Sequence, residues 1–144
     1  MDMKATPLAL LKDPSLLRTN ALKLYGWKTV LRGTLLPSPM IGSSFPDLVR
    51  EIEKEGHEVG IHGYNHVEWQ DHLLEMSGDR VRRHYEDGIR AFEKVLGRKP
   101  AAFAAPAWLC SETSLSLLEV LGFRYASAPR GRTPFYPSIK GKRF

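Results

Sequence analysis

An α/β fold, with parallel strands joined by crossover helices, is what this 144-residue sequence predicts. Three observations predict it. Helix signals alternate with short apolar runs in the order helix–strand–helix–strand–helix–strand, the pattern of right-handed crossover connections. Capping residues open the first and last helices, and glycines stand where helices must stop. A parallel sheet also wants both faces covered and usually more than three strands, so the chain reads as the middle of a larger α/β domain.

The first helix signal is Asp13-Pro14. Asp13 can accept backbone N–H bonds as N-cap, and Pro14 suits the first helical position because its missing N–H is not needed there. Leu17, Ala21, Leu24 and Tyr25 recur at helical spacing, and Gly26 is placed to end the helix. Residues 27–43 carry Gly33, Pro37, Pro39 and Gly42, which is loop chemistry around a short apolar piece at 29–31. A second helix begins near Ser44 with Pro46 in its first turn. Leu48, Val49 and Ile52 form its inner face and Gly56 closes it. Residues 57–61 follow as a short buried strand, and 62–78, rich in His, Asn, Trp and Gly, as a loop.

A long helix is predicted over 79–96, with Val81, Tyr85, Ile89, Phe92 and Leu96 as its core stripe and Gly97 as its stop. Residues 101–105 read as a strand ending at Pro106. Ser111 caps a helix running through Leu115, Leu118 and Leu121, stopped by Gly122. Residues 123–127 read as the third strand, and the stretch with Pro129, Gly131, Pro134 and Pro137 carries no regular signal.

Composition narrows the function classes. Apolar residues make up 42% and charged residues 26%, so the chain is globular and not globally disordered. The length suits one domain. No apolar run approaches a membrane span, and residues 1–11 lack the long apolar core and cleavage site of a secretory signal. The single Cys110 excludes an internal disulfide and a cysteine-rich zinc module, and the default location is cytoplasmic. Cys110 has no histidine near it in sequence and reads as a buried spectator thiol. Net charge is +5, with basic residues grouped at Arg80, Arg82, Arg83 and His84 and again at Arg130, Arg132, Lys140, Lys142 and Arg143. The first group reads as a solvated helix face and the second as a basic tail; both can also attract phosphate, on nucleic acid or on a lipid headgroup. No aromatic residues interleave with them in an RNA-reading pattern, which argues against nucleic acid.

The chemistry concentrates in His62-Gly63-Tyr64-Asn65-His66, directly after a predicted strand. In parallel α/β folds, catalytic groups gather at the C-terminal ends of strands. Two imidazoles four residues apart can bind one metal ion, or can be polar turn residues; a catalytic zinc needs a third protein ligand and an open position. Glu58 reads as an outward-pointing strand residue, or else as a carboxylate supporting that site.

The stretch His57-Glu58-Val59-Gly60-Ile61-His62-Gly63-Tyr64-Asn65-His66 resembles the His-Ser/Thr-x-x-His motif of the NodB-homology polysaccharide deacetylases. Within that family it is most similar to the subgroup that deformylates undecaprenyl-phosphate-linked formamido-arabinose in lipid A modification. Leu24-Tyr25-Gly26-Trp27, Trp69-Gln70, Arg130-Gly131 and Pro134-Phe135 extend the resemblance from about Leu16 to Pro137. It implies a distorted (β/α) barrel of the NodB type, with His62 and His66 as ligands of a divalent metal, zinc above others. It implies an amino-sugar substrate, lipid-phosphate-linked in that subgroup, and peripheral contact with the cytoplasmic face of the membrane. By the same resemblance Tyr64, Trp69, Pro106, Trp108 and Arg130 are substrate-binding residues; Pro106 and Trp108 read equally well as a strand-ending turn with a packing tryptophan.

The chain departs from the family pattern in several places. It shows no Asp-Asp or Asp-x-Asp motif on an early strand and no late Leu-His motif, so no catalytic base or acid is assigned. The expectation is therefore a single partial deacetylase domain over 1–144. Ala104-Ala105-Pro106-Ala107-Trp108 stands where the family often has Arg-x-Pro, and Gly63 replaces the usual Ser or Thr. Three readings stay open: a segment of a metal-dependent amide hydrolase, a non-catalytic module that keeps a sugar- or lipid-phosphate-binding groove, and a small module that binds a partner, or itself, through unpaired sheet edges.

Overall fold

The structure is a computed structural model and describes residues 40–136, 138–139 and 141–143. The helix expected after Asp13, the apolar piece at 29–31 and the Leu24-Tyr25-Gly26-Trp27 motif lie outside the described residues. The chain divides between Ser44 and Phe45 into two units. Of the first, the described part is a helical turn, α1 (Ile41–Ser44).

In the second unit, α2 (Pro46–Lys54) starts with proline in its first turn, as the sequence predicts. An extended segment leads to Ile61, then α3 (His66–His72) and a 3-10 turn (Leu73–Glu75) follow. Next come α4 (Gly78–Leu96), β1 (Ala102–Ala104), α5 (Glu112–Val120) and β2 (Tyr125–Ser127). A two-residue-per-strand hairpin, β3 (Ser138–Ile139) with β4 (Lys142–Arg143), closes the described part.

The strands pair as expected. β1 and β2 are parallel, in register Ala102 with Tyr125, Phe103 with Ala126 and Ala104 with Ser127. On the other side of β1, Ile61 makes a parallel bridge to Phe103, with Ile61 N–H donating to Ala102 O at 3.1 Å and Ala104 N–H donating to Ile61 O at 2.8 Å. Residues 57–60 carry no ladder bonds, so the first predicted strand is ladder-bonded only at its last residue, where the functional loop begins.

Two expectations are corrected. Residues 62–78 are not all loop, because Asn65 caps α3 by accepting the Glu68 N–H on its side chain. The stretch after Pro137 is not wholly irregular either, because Gly141, at φ 81°, makes the turn between β3 and β4. The α4 and α5 boundaries follow their caps: Ser77 accepts from Arg80 N–H, Gly97 takes the left-handed conformation at φ 69°, and Ser111 forms a reciprocal capping box with Ser114.

The core lies between α3, α4, α5 and the sheet. Trp69, Tyr85, Phe103 and Phe123 pack as a ring cluster, with centroids 5.3 Å apart for Trp69–Tyr85, 5.5 Å for Trp69–Phe103 and 4.8 Å for Tyr85–Phe103. These tilted and edge-on spacings are the favourable ones for aromatic pairs. The Tyr85 hydroxyl donates to Ser114 O at 3.1 Å, and burial pushes its pKa up. The α2 face expected to be internal is open: Leu48 is 54% and Ile52 38% exposed, while Arg50 donates to Val95 O and ties α2 to α4.

Candidate functional site

Parallel pairing brings three loops to one edge of the sheet. The segment after Ile61 carries His62 and Tyr64, the segment after β1 carries Trp108, and the segment after β2 carries Arg130. These are the C-terminal ends of three adjacent strands, where side chains are free of packing duty.

His62 and His66 are both exposed, with ring centroids 5.1 Å apart. Nδ1 of His62 lies 3.2 Å from Ala104 O. A carbonyl only accepts, so Nδ1 carries the proton, and in the neutral ring Nε2 keeps its lone pair. Orientation of a ligating imidazole through a backbone carbonyl is the common arrangement in metal sites. A zinc ion about 2.0–2.1 Å from one nitrogen of each ring, at a tetrahedral angle, places the centroids about 5 Å apart. The ring spacing is therefore the one that two imidazoles sharing a divalent ion would need. Among the described residues no group of three or more His, Cys, Asp or Glu is arranged to hold a metal.

Gly63 has φ +72°, in the left-handed region. A Cβ there would stand 2.8 Å from Pro106 Cγ. The departure from Ser or Thr at this position thus has a local cause: buried Pro106 fills the space a side chain would need. Gly63→Ala should destabilise the fold by about 1–3 kcal/mol, combining strained backbone with a clash. A urea melt is the check, and an unchanged midpoint would show that the loop relaxes freely.

The substrate-binding expectations divide. Tyr64 (42% exposed), Trp108 (52% exposed) and Arg130 face solvent at the strand ends. The Arg130 guanidinium lies over the Trp108 ring at 4.4 Å, a cation–π stack. Trp69 and Pro106 are corrected: Trp69 is 1% exposed and donates its indole N–H to Leu109 O at 3.0 Å, and Pro106 is fully buried. Both lie beneath the surface of that edge. Ala107 and Trp108 both sit at φ 54°, unusual for residues other than glycine, at a cost of order 1–3 kcal/mol each. Such strain persists only where surrounding contacts over-determine it, and it turns Trp108 outward at the strand end.

The helix-face reading of the first basic group holds for Arg80, Arg82 and Arg83, which reach solvent, and is corrected for His84. His84 is buried, with Nε2 3.1 Å from Glu68 Oε2, and Arg80 donates to Glu68 Oε1. Partial burial pushes the Glu68 carboxyl pKa up, but the hydrogen bond from Arg80 and the charges of His84 and Arg80 outweigh it, and the net pKa is lowered. Sequence reading missed this network, although Asn65-x-x-Glu68 is a helix-capping signature. Glu58 points outward at the opposite end of the strand segment, where it accepts from the Tyr125 hydroxyl and raises that group's pKa. Partial burial likewise raises the Cys110 thiol pKa and keeps it protonated. No helix among the described residues is long and apolar enough to cross a membrane.

Comparison with known proteins agrees with this geometry. The sequence profile described as Polysaccharide deacetylase matches residues 20–126. A Shewanella sediminis protein designated a 4-deoxy-4-formamido-L-arabinose-phosphoundecaprenol deformylase is 32% identical over 124 residues, covering 86% of this chain and 41% of the relative. A Wigglesworthia glossinidia brevipalpis protein with the same designation is 28% identical over 123 residues, covering 85% and 43%. A Mycobacterium smegmatis crystal structure assigned to a polysaccharide deacetylase superposes with a TM-score of 0.52 at 33% identity, over 59% of this chain and 28% of that one. The chain spans about two fifths of the length of the curated relatives it matches.

Proposed function

This chain belongs to the polysaccharide deacetylase family, and from that premise we propose that it works within a metal-dependent hydrolase that removes a formyl or acetyl group from an amino sugar. Its parallel strands and helices form part of the distorted (β/α) barrel of that family. The single observation that carries the functional reading is the His62–His66 pair at 5.1 Å at the end of a parallel strand, with His62 oriented by Ala104 O.

In this reading His62 and His66 hold a divalent metal, most naturally zinc. The bound metal supplies Lewis acidity toward an amide carbonyl and acidifies water. The residues of this chain do the rest of the local work. Ala104 O keeps the His62 proton on Nδ1 and so leaves Nε2 for coordination. Tyr64 and Trp108 offer exposed aromatic surface to a sugar, and Arg130, stacked on Trp108, offers a cation to an anionic group such as a lipid-linked phosphate. The third ligand, the general base and the general acid lie outside the described residues, within one deacetylase domain. The relatives designated as deformylases of a phosphoundecaprenol-linked sugar support a lipid-phosphate-linked amino sugar as substrate, and in this reading the chain meets it at the cytoplasmic face of the membrane. The exposed Leu48, Ile52 and Tyr125 support self-association of the isolated chain.

The test is an amine-release assay on formamido and acetamido sugars. The 144-residue chain by itself should show no useful turnover, because general acid–base help is worth about 100- to 10,000-fold per group. A chain extended with an early Asp-Asp strand and a late Leu-His segment should gain chelator-sensitive turnover, lost in His62→Ala. Zinc-dependent turnover by the short chain would show that ligand and base are already within it. An extended chain that folds and binds zinc but releases no amine would mark a binding module instead.

A further inference from the structure

We propose that Glu68, gripped by Arg80 and His84 of α4, is a positioning residue that sets His66 for metal capture. The inference rests on the reading of His62 and His66 as metal ligands, but its evidence is separate. His66 is the first residue of α3 and Glu68 the third, with Asn65 as N-cap. The Glu68 backbone N–H donates to Asn65 Oδ1 at 3.1 Å, and Asn65 Nδ2 donates back to Glu68 Oε2 at 3.3 Å. One carboxylate thus closes a box around the residue that immediately precedes His66.

The same carboxylate is held from the other side. Its Oε1 accepts from Arg80 Nε at 2.9 Å and also from Arg80 Nη2, and its Oε2 lies 3.1 Å from His84 Nε2. The His84 side chain is 6% exposed, and its Nδ1 is buried with no hydrogen-bond partner among the described residues. Among the described residues, Glu68 is therefore the polar partner of the buried imidazole. A buried polar atom left unpaired is uncommon and calls for a compensating reason. The contact of Nε2 with the Glu68 carboxylate holds the ring in place while Nδ1 stays unpaired.

The mechanical logic follows from element lengths. Seven residues are too few for α3 to hold its own geometry in water, whereas α4 has 19 residues, caps at both ends and six buried positions. The two candidate ligands sit on different supports. His62 is set by the sheet, through Ala104 O, and His66 is set by α4, through Glu68 and the Asn65 cap. The 5.1 Å ring separation depends on both. Glu68 acts through the cap, not on the ring.

The experiment is a cobalt(II) titration of the full chain, read by visible absorption and by calorimetry. Glu68→Ala should weaken cobalt binding about 10-fold or more, the usual cost of removing an outer-shell partner. Glu68→Gln keeps an oxygen for the cap box and should recover most of that loss. Val95→Ala truncates a buried residue at the far end of α4. It should lower the unfolding midpoint and leave cobalt affinity within about twofold, because it touches neither ligand nor cap. Wild-type affinity in Glu68→Ala, or an equal loss in Val95→Ala, overturns the proposal. A wild-type chain that takes up no cobalt overturns the metal-ligand reading instead. The clamp is then judged by amide hydrogen exchange at Glu68 and Trp69: faster exchange in Glu68→Ala upholds it, and unchanged exchange overturns it.

Discussion

Replacing either His62 or His66 with alanine is expected to abolish measurable zinc binding by this chain. In the proposed reading the described residues supply two donors for the ion, His62 and His66, so wild-type binding should be micromolar at best, since affinity depends steeply on ligand number. Losing an outer partner of a metal ligand costs about 10- to 100-fold in affinity, and losing a ligand itself costs more. A micromolar constant would therefore pass into the millimolar range or beyond. Both rings are exposed at a loop and at a helix start, so the substitutions spare the core and the chain should remain folded. Calorimetric titration at fixed pH, with far-ultraviolet circular dichroism as a check on folding, reads the result. Tight zinc binding untouched by both substitutions would place the metal elsewhere in the protein.

Trp69→Ala is expected to have the largest effect on stability. The side chain is 1% exposed, packs against the rings of Tyr85, Phe103 and His84, and donates its N–H to Leu109 O. Large-to-small changes at such positions cost about 3–5 kcal/mol, from lost burial and from the cavity left behind. Typical domain stability is only about 5–15 kcal/mol, so the variant should lose a large fraction of it. Trp69→Phe keeps a ring in the cluster and loses the hydrogen bond. Its cost should be smaller, about 1–3 kcal/mol for a carbonyl left without its donor. Urea titrations of both variants separate the two contributions. An alanine variant as stable as the wild type would mean that Trp69 is not a core residue, and would return it to the substrate side.

Much of the scaffold was legible because its signals are local. Ser111 with Ser114, Pro46, Gly97 and Gly122 act within a turn of backbone, through caps and left-handed stops, so the limits of α2, α4 and α5 could be read to within a residue or two. Helix α3 was missed because His66, Glu68, Gln70, Asp71 and His72 offer no apolar period, and its capping signature was read as loop chemistry. The β3–β4 hairpin was missed for a related reason: two residues per strand are too few to show alternation. The histidine pair was legible because both rings lie within five residues.

What the sequence by itself determined is the alternation of helices and strands, the parallel order, and the placing of two imidazoles after a strand end. These follow from spacing along the chain, through caps, stops and periodicity. Only the tertiary structure decided which side chains face solvent and which groups meet. Trp69 and Pro106 carry chemistry that suits a groove, yet they are buried, because α3 folds its indole face onto α4 and β1. Arg80 and His84 look like a solvated basic face, yet they converge on Glu68, 12 and 16 residues earlier in the sequence. Trp108 and Arg130 meet because β1 and β2 pair in parallel and bring their C-terminal loops to one edge. Contacts of this kind depend on how rigid elements pack in three dimensions, and no local pattern of residues encodes the distance between them.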